Sequence, residues 1–104
     1  MMMCRIIKSG GKIVVAICDS ELLGQKYKEG EIVLDLDKYR SFYNGFEINE
    51  SDGKILEKIL KEIKEATLIN VVGKRSVELL KKEGHNISNV KAIAGIPHLQ
   101  IYKI

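Results

Sequence analysis

A single compact domain of the α+β or α/β class is predicted for this chain, and three stretches predict it. Two β-rich runs flank Gly10-Gly11, a dipeptide that supplies the positive φ of a tight hairpin turn. Apolar residues recur at helical spacing through Ile55, Leu56, Ile59, Leu60 and Ile63. The run ATLINVVGKRS at 66–76 reads as a buried strand that passes through a glycine turn into a basic helix. The expected architecture is an N-terminal β-hairpin or meander followed by an α-β-α-β-β segment. Together these form a mixed sheet with two main helices packed on it.

Taken in order, residues 4–9 and 12–18 are the arms of the hairpin, the second (KIVVAIC) apolar enough to lie deep in a sheet. Residues 19–24 predict a one-turn helix, with Asp19 or Ser20 as N-cap and Gly24 as stop. Residues 31–37 alternate, Ile32, Leu34 and Leu36 against Val33, Asp35 and Asp37, as a strand with one buried face. The aromatic segment 38–49 turns at Asn44-Gly45, as a short hairpin or an irregular loop laying its rings over the sheet. The helix through Ile55–Ile63 takes Asn49 or Ser51 as cap, and its alternating charges mark a solvated face. Residues 67–72 then predict a central parallel strand, and 74–82 a helix that turns Val77, Leu79 and Leu80 inward and ends near Gly84. With a strand at 90–94 these make a right-handed βαβ unit. Gly95-Ile-Pro-His98 bends the chain into a last strand at 99–104.

One hundred and four residues suffice for one modest core, so a single domain over 1–104 is expected. A charged fraction of 30% with 45% hydrophobic residues excludes a disordered chain. No apolar run approaches the roughly 20 residues of a membrane span, and MMMCRIIKSGG lacks the pattern of a signal peptide. A cytosolic protein without a membrane partner is expected. The net charge of +3 is unevenly spread: residues 1–65 carry 11 basic and 12 acidic side chains, residues 66–104 carry 6 and 2. That asymmetry leans toward an anionic partner.

Gly73, Lys74, Arg75 and Ser76 stand where a strand enters a helix, so free N–H groups beside two cations offer an anion site. The competing reading is an ordinary glycine-punctuated junction, since GKRS lacks the spacing of a phosphate loop. Asn70, alone among apolar neighbours, must either bond to nearby backbone or line a cleft. In a regular last strand His98, Gln100 and Tyr102 share a face suited to RNA bases or a peptide, or simply to solvent. Pro97 before His98 allows a cis bond or a fixed bend that aims the ring. The hairpin register sets Cys4 opposite Ile17, which puts the Cys4 and Cys18 thiols on opposite faces and argues against a disulfide. Cys18-Asp19 would need His98 nearby to act as a nucleophile. No zinc, dinucleotide or triad pattern is present, so neither a metal nor a cofactor is expected, and an enzyme is not the preferred reading.

Four stretches carry a resemblance: CDSELLG at 18–24, FYNG at 42–45, ATLINVVG at 66–73 and GIPHLQ at 95–100. In this order and spacing the chain resembles the archaeal domain-of-unknown-function family 424. The resemblance implies a small stand-alone archaeal cytoplasmic protein and assigns no catalytic or binding residue. It draws attention to Cys18, Asp19, Asn70, Gly73, Pro97, His98 and Gln100, which stand inside the matching stretches. The leading functional expectation is a non-enzymatic module for RNA or a ribonucleoprotein, built from Asn70, Gly73, Lys74, Arg75, His98, Gln100 and Tyr102, with Cys18, Asp19 and Tyr43 in support. The alternative is a small anionic ligand or nucleotide site, or an enzyme, near Gly73–Ser76 and His98. A protein partner at Phe42, Tyr43 and Phe46 is a third expectation.

Overall fold

A computed structural model of the protein describes residues 1–103. Among these the chain forms β1 (Met2–Ser9), β2 (Lys12–Asp19), a 3-10 turn (Ser20–Leu22), β3 (Lys26–Glu29), β4 (Ile32–Asp35), α1 (Arg40–Tyr43), β5 (Phe46–Ile48), α2 (Gly53–Glu65), β6 (Leu68–Val72), α3 (Lys74–Lys82), β7 (Lys91–Ile93) and β8 (Ile96–Tyr102). Six strands make one mixed sheet in the order β5-β1-β2-β6-β8-β7, and β3 and β4 form a separate hairpin. The fold is α+β.

The apolar runs occupy the centre of this sheet. β2 pairs β6 in parallel, from Val14 opposite Leu68 to Cys18 opposite Val72. β1 folds back on β2 through Gly10-Gly11, and Cys4 sits opposite Ile17 as the register requires. Alternation sends Val15, Ile17, Ile69, Val71 and Leu99 to one face, where Ile59 and Ile63 of α2 and Val77, Leu79 and Leu80 of α3 cover them. Ala16, Cys18 and Val72 face the other way, under Leu22, Leu34, Leu36 and Tyr43. The two cysteines are buried, unpaired, and divided between these clusters.

Several elements differ from expectation. Residues 26–29 form a strand with only one apolar side chain, Tyr27, and no strand was expected there. Their partner is β4, joined through Gly30-Glu31, so the strand expected at 31–37 belongs to a hairpin lying over the sheet. Leu34 and Leu36 are buried as their alternation implies, whereas Ile32, at the hairpin tip, is exposed. Phe42 and Tyr43 end a helical turn rather than one arm of a hairpin, and Phe46–Ile48 pairs with β1. The expected βαβ unit is interrupted: β8 lies between β6 and β7 and is antiparallel to both, because Ala94 and Gly95, at φ 51° and 80°, turn the chain straight back. β8 therefore already begins at Ile96, and Ile104, expected in it, lies outside the described residues. No cis peptide occurs among the described residues, so the expected cis option at Pro97 is not used.

The helix caps also shift. α2 is capped by Asp52, whose Oδ1 accepts from the N–H groups of Lys54 and Ile55, rather than by Asn49 or Ser51. Asp19 occupies the N-cap position of the 3-10 turn but gives it no side-chain bond. Its carboxylate instead accepts from Arg75 N–H at 3.1 Å, Ser76 N–H at 2.9 Å and Ser76 Oγ at 2.7 Å, capping α3 from the end of β2. Gly73 makes room for this contact. Its φ of 106° and ψ of 157° lie where only glycine is comfortable, and a Cβ there would overlap the Asp19 carboxyl.

Loss of this clasp is measurable in denaturant unfolding. Gly73→Ala is expected to lose at least about 2–3 kcal/mol from backbone strain alone. Asp19→Ala is expected to lose about 2 kcal/mol as a charge-assisted cap disappears, with Asp19→Asn recovering part of the difference. A midpoint unchanged in Asp19→Ala would contradict the cap.

Candidate functional site

Among the described residues the only buried side-chain amide belongs to Asn70 of β6, which is 7% exposed. Alternation with Ile69 and Val71 turns it away from α2 and α3, toward the face that carries the hairpin and α1. In register beside it lie Ala16 on one side and Gln100 on the other. The small Ala16 leaves space over β2, and Tyr43, at the end of α1, reaches across to donate its O–H to Asn70 Oδ1 at 2.8 Å. Phe42 packs edge-on against that ring, with centroids 5.1 Å apart. His98 Nε2 stands 3.0 Å from the same Asn70 oxygen. With both lone pairs of Oδ1 engaged, His98 is the Nε2–H tautomer, and its Nδ1 is left as an acceptor.

Burial sets the protonation of this triad. It lowers the His98 pKa, so the imidazole is neutral at pH 7. Burial, with the neighbouring Cys18 thiol, pushes the Tyr43 phenol up, so its proton stays available to Asn70. The Asn70 amide nitrogen finds no partner among the described residues, yet it is not sealed from the surface. It opens onto a cleft of about 550 Å³ walled by Leu34, Leu36, Tyr39, Phe42 and Ile93, with Gln100 at its edge. A second cleft of about 1070 Å³ shares Ile93, His98 and Gln100 and continues past Lys91 to Tyr102. The two form one groove along the uncovered face of β8.

The sequence-derived candidates divide between the two faces of the sheet. Asn70, His98, Gln100, Tyr102 and Tyr43 meet along the groove. Gly73, Lys74 and Arg75 do not, because they begin α3, which packs on the opposite face. The free N–H groups expected there to receive an external anion are taken by Asp19, so the anion site at Gly73–Ser76 is corrected to an internal cap. α3 and the His98 ring lie on opposite faces of the sheet. The Gly73 N–H donates to Pro97 O at 2.9 Å.

Cys18 lies two strands from His98, with Val72 between them in register, a separation of roughly 10 Å at ordinary strand spacing. Its thiol is pushed up to about 12, by burial first and then by Asp19 and Glu21, which leaves it inert. The expected patch of Phe42, Tyr43 and Phe46 is not one surface: Tyr43 is buried, and Phe46 is exposed on the far edge with β5. Sequence reading missed Leu34, Leu36, Tyr39, Lys91 and Ile93 as walls of the groove. Only the alternation of Leu34 and Leu36 signalled a buried face, and nothing local tells what that face covers.

Two measurements address the triad. Tyr43→Phe removes one of the two donors to a buried oxygen and is expected to cost about 1 kcal/mol in unfolding free energy. The pH dependence follows from the lowered His98 pKa. The folded state resists protonation that the unfolded chain accepts near pH 6.5, so stability is full above that pH and declines below it, down through the folded-state value. His85 is lowered in the same sense, by burial first and then by Lys103. Melting temperature is therefore expected to fall between pH 7 and 5, and His98→Gln to flatten part of that fall. An unchanged slope in His98→Gln would contradict the assignment.

Among curated proteins none matches the chain. Its fold is similar to that in the crystal structure of an uncharacterized conserved protein from Methanopyrus kandleri, with a TM-score of 0.78 and 24% identity over 97% of this chain and 90% of that one. A family model described as protein of unknown function (DUF424) matches residues 7–104, nearly the whole length. With sheet, helices and groove in place, the chain thus belongs to domain-of-unknown-function family 424.

Proposed function

We propose that this is a non-enzymatic, cytosolic binding module that lays single-stranded RNA along the groove of β8. The observation that carries this is the gathering of exposed apolar side chains on one groove. Tyr102 (70% exposed) and Ile32 flank one cleft, and Tyr39 and Val33 flank the other, around a floor of His98, Gln100 and Asn70. Flat phenol rings beside amide and imidazole groups suit bases that stack on one surface and present polar edges to another. Lys91 stands opposite His98 on the same face, and the Lys38 ammonium lies 5.4 Å over the Tyr39 ring, so each end of the groove has one cation for a phosphate. Ile32 and Val33 on the hairpin favour a protein surface beside the RNA, as in a ribonucleoprotein.

Position changes the electrostatics expected from sequence. Most of the basic excess of the last third sits on α3, behind the sheet. Lys103 donates to the carbonyls of Ile63 and Lys64 at the end of α2 and is also turned away. Stacking, not charge, therefore has to supply most of the affinity.

Filter binding of a single-stranded RNA oligomer at two salt concentrations tests this. Two lysines predict a salt slope near −1.4, at about −0.7 per neutralised phosphate. Tyr102→Ala is expected to cost about 1–3 kcal/mol of binding, while Lys74→Ala/Arg75→Ala leaves affinity unchanged. Absence of binding by wild type, or full affinity in Tyr102→Ala, would sink the proposal.

A further inference from the structure

We infer that the cleft over Tyr43, Asn70 and His98 is a recognition pocket for the hydrogen-bonding edge of one neutral planar heterocycle, a nucleobase. This deepens the RNA proposal and rests on it for the biological source of the base. The argument starts from what the triad leaves over. An acceptor alone would satisfy Tyr43 and His98, yet the residue is an amide. Its oxygen is held by two protein donors, which fixes its orientation, and its two N–H groups are left for the cleft. His98, committed at Nε2, carries a lone pair at Nδ1 that has no protein donor among the described residues. The Asn70 N–H groups therefore face the cleft as donors for a ring carbonyl or ring nitrogen, an acceptor that every nucleobase carries on an edge, while the His98 Nδ1 lone pair, directed away from Asn70, is left for a separate donor.

The other walls select for a neutral, flat ligand. Leu34, Leu36, Phe42 and Ile93 are apolar. Asp35 is the one charged side chain lining the cleft. Its Oδ1 is tied to the backbone N–H groups of Asp37 and Lys38, and its Oδ2 faces Lys26 at 3.8 Å. No cation lines this cleft to hold a phosphate or carboxylate. A buried amide with open donors rejects ligands that cannot satisfy them, because the unpaired donor then loses its water without replacement. The groove's two exposed tyrosines would hold neighbouring bases by stacking, which is sequence-tolerant, while this pocket reads one base by its edge.

The test uses the full chain and four free nucleosides, with ribose 5-phosphate as control, followed by ¹H–¹⁵N NMR. At least one nucleoside is expected to bind with roughly millimolar affinity and to shift the Asn70 side-chain amide and the His98 ring nitrogens. Asn70→Asp keeps an acceptor for Tyr43 and His98 while removing the donors, and is expected to weaken nucleoside binding about tenfold or more. Lys82→Ala, on α3 behind the sheet, should leave nucleoside binding unchanged. The pocket assignment is overturned if no nucleoside moves the Asn70 amide, if ribose 5-phosphate produces the same shifts, or if a folded Asn70→Asp binds as wild type. The wild-type shifts decide the matter even where that variant fails to fold. Nucleoside binding without RNA binding supports the pocket and removes the RNA proposal. RNA binding that leaves the Asn70 amide unmoved does the reverse.

Discussion

The Asp19 carboxylate is the tie on which the geometry of the molecule depends. It ends β2, and its three hydrogen bonds hold the first turn of α3, 56 and 57 residues further along the chain. The bond network fixes where β6 must stop, because Gly73 adopts a conformation that only glycine tolerates in order to bring Arg75 and Ser76 onto that carboxylate. The Gly73 N–H then reaches Pro97 O and sets the register in which β8 enters beside β6. The missing N–H of Pro97 costs nothing there, since β6 has already turned into α3 on that side. Strand, helix and return strand are thus positioned from one buried acid, and the anion that a helix start attracts is supplied by the chain itself.

That arrangement makes the two faces of the sheet unequal. α2 and α3 both lie on one face and close the larger apolar cluster. The opposite face is covered over β2 and β6 by α1 and the β3–β4 hairpin, which also reaches β7 and the Ala94 turn, and the stretch of β8 from His98 to Tyr102 is left open. Antiparallel pairing with β6 turns His98 and Gln100 to this uncovered side and Leu99 and Ile101 to the helices. A strand with a dry face and a wet face needs period-two patterning, and HLQIY has it.

Legibility followed the range of the interaction. The Gly10-Gly11 hairpin and its register could be read from local turn chemistry, as could α2 from its apolar stripe and the buried, parallel character of β6 from its uncharged run. The polar face of β8 was readable too, because alternation needs no partner to be recognised. What failed to show was whatever depended on a distant partner. Lys-Tyr-Lys-Glu at β3 has one apolar residue and becomes a strand only because β4 follows through Gly30. Asp19 looks like a cap for the turn that follows it, and only the folded sheet brings α3 closer to its carboxylate. β8 slips between β6 and β7 because a two-residue turn at Ala94-Gly95 is tighter than the bend expected at Pro97. Asn70 was visible as an anomaly, but Tyr43 and His98 reach it from 27 and 28 residues away.

The chemistry of the triad follows from the partner that holds the histidine. A carboxylate at Nε2 would raise the imidazole's basicity and favour its charged form, as in a general base. Here the partner is a neutral amide, and burial lowers the pKa instead. The nearest thiol, Cys18, is pushed up to about 12, and the nearest buried carboxylate, Asp19, is engaged with α3. The amide and imidazole keep free hydrogen-bonding atoms beside an apolar wall. The proposed recognition needs a neutral imidazole, and burial, by lowering the His98 pKa, supplies it in the pH range where this group contributes its full stability.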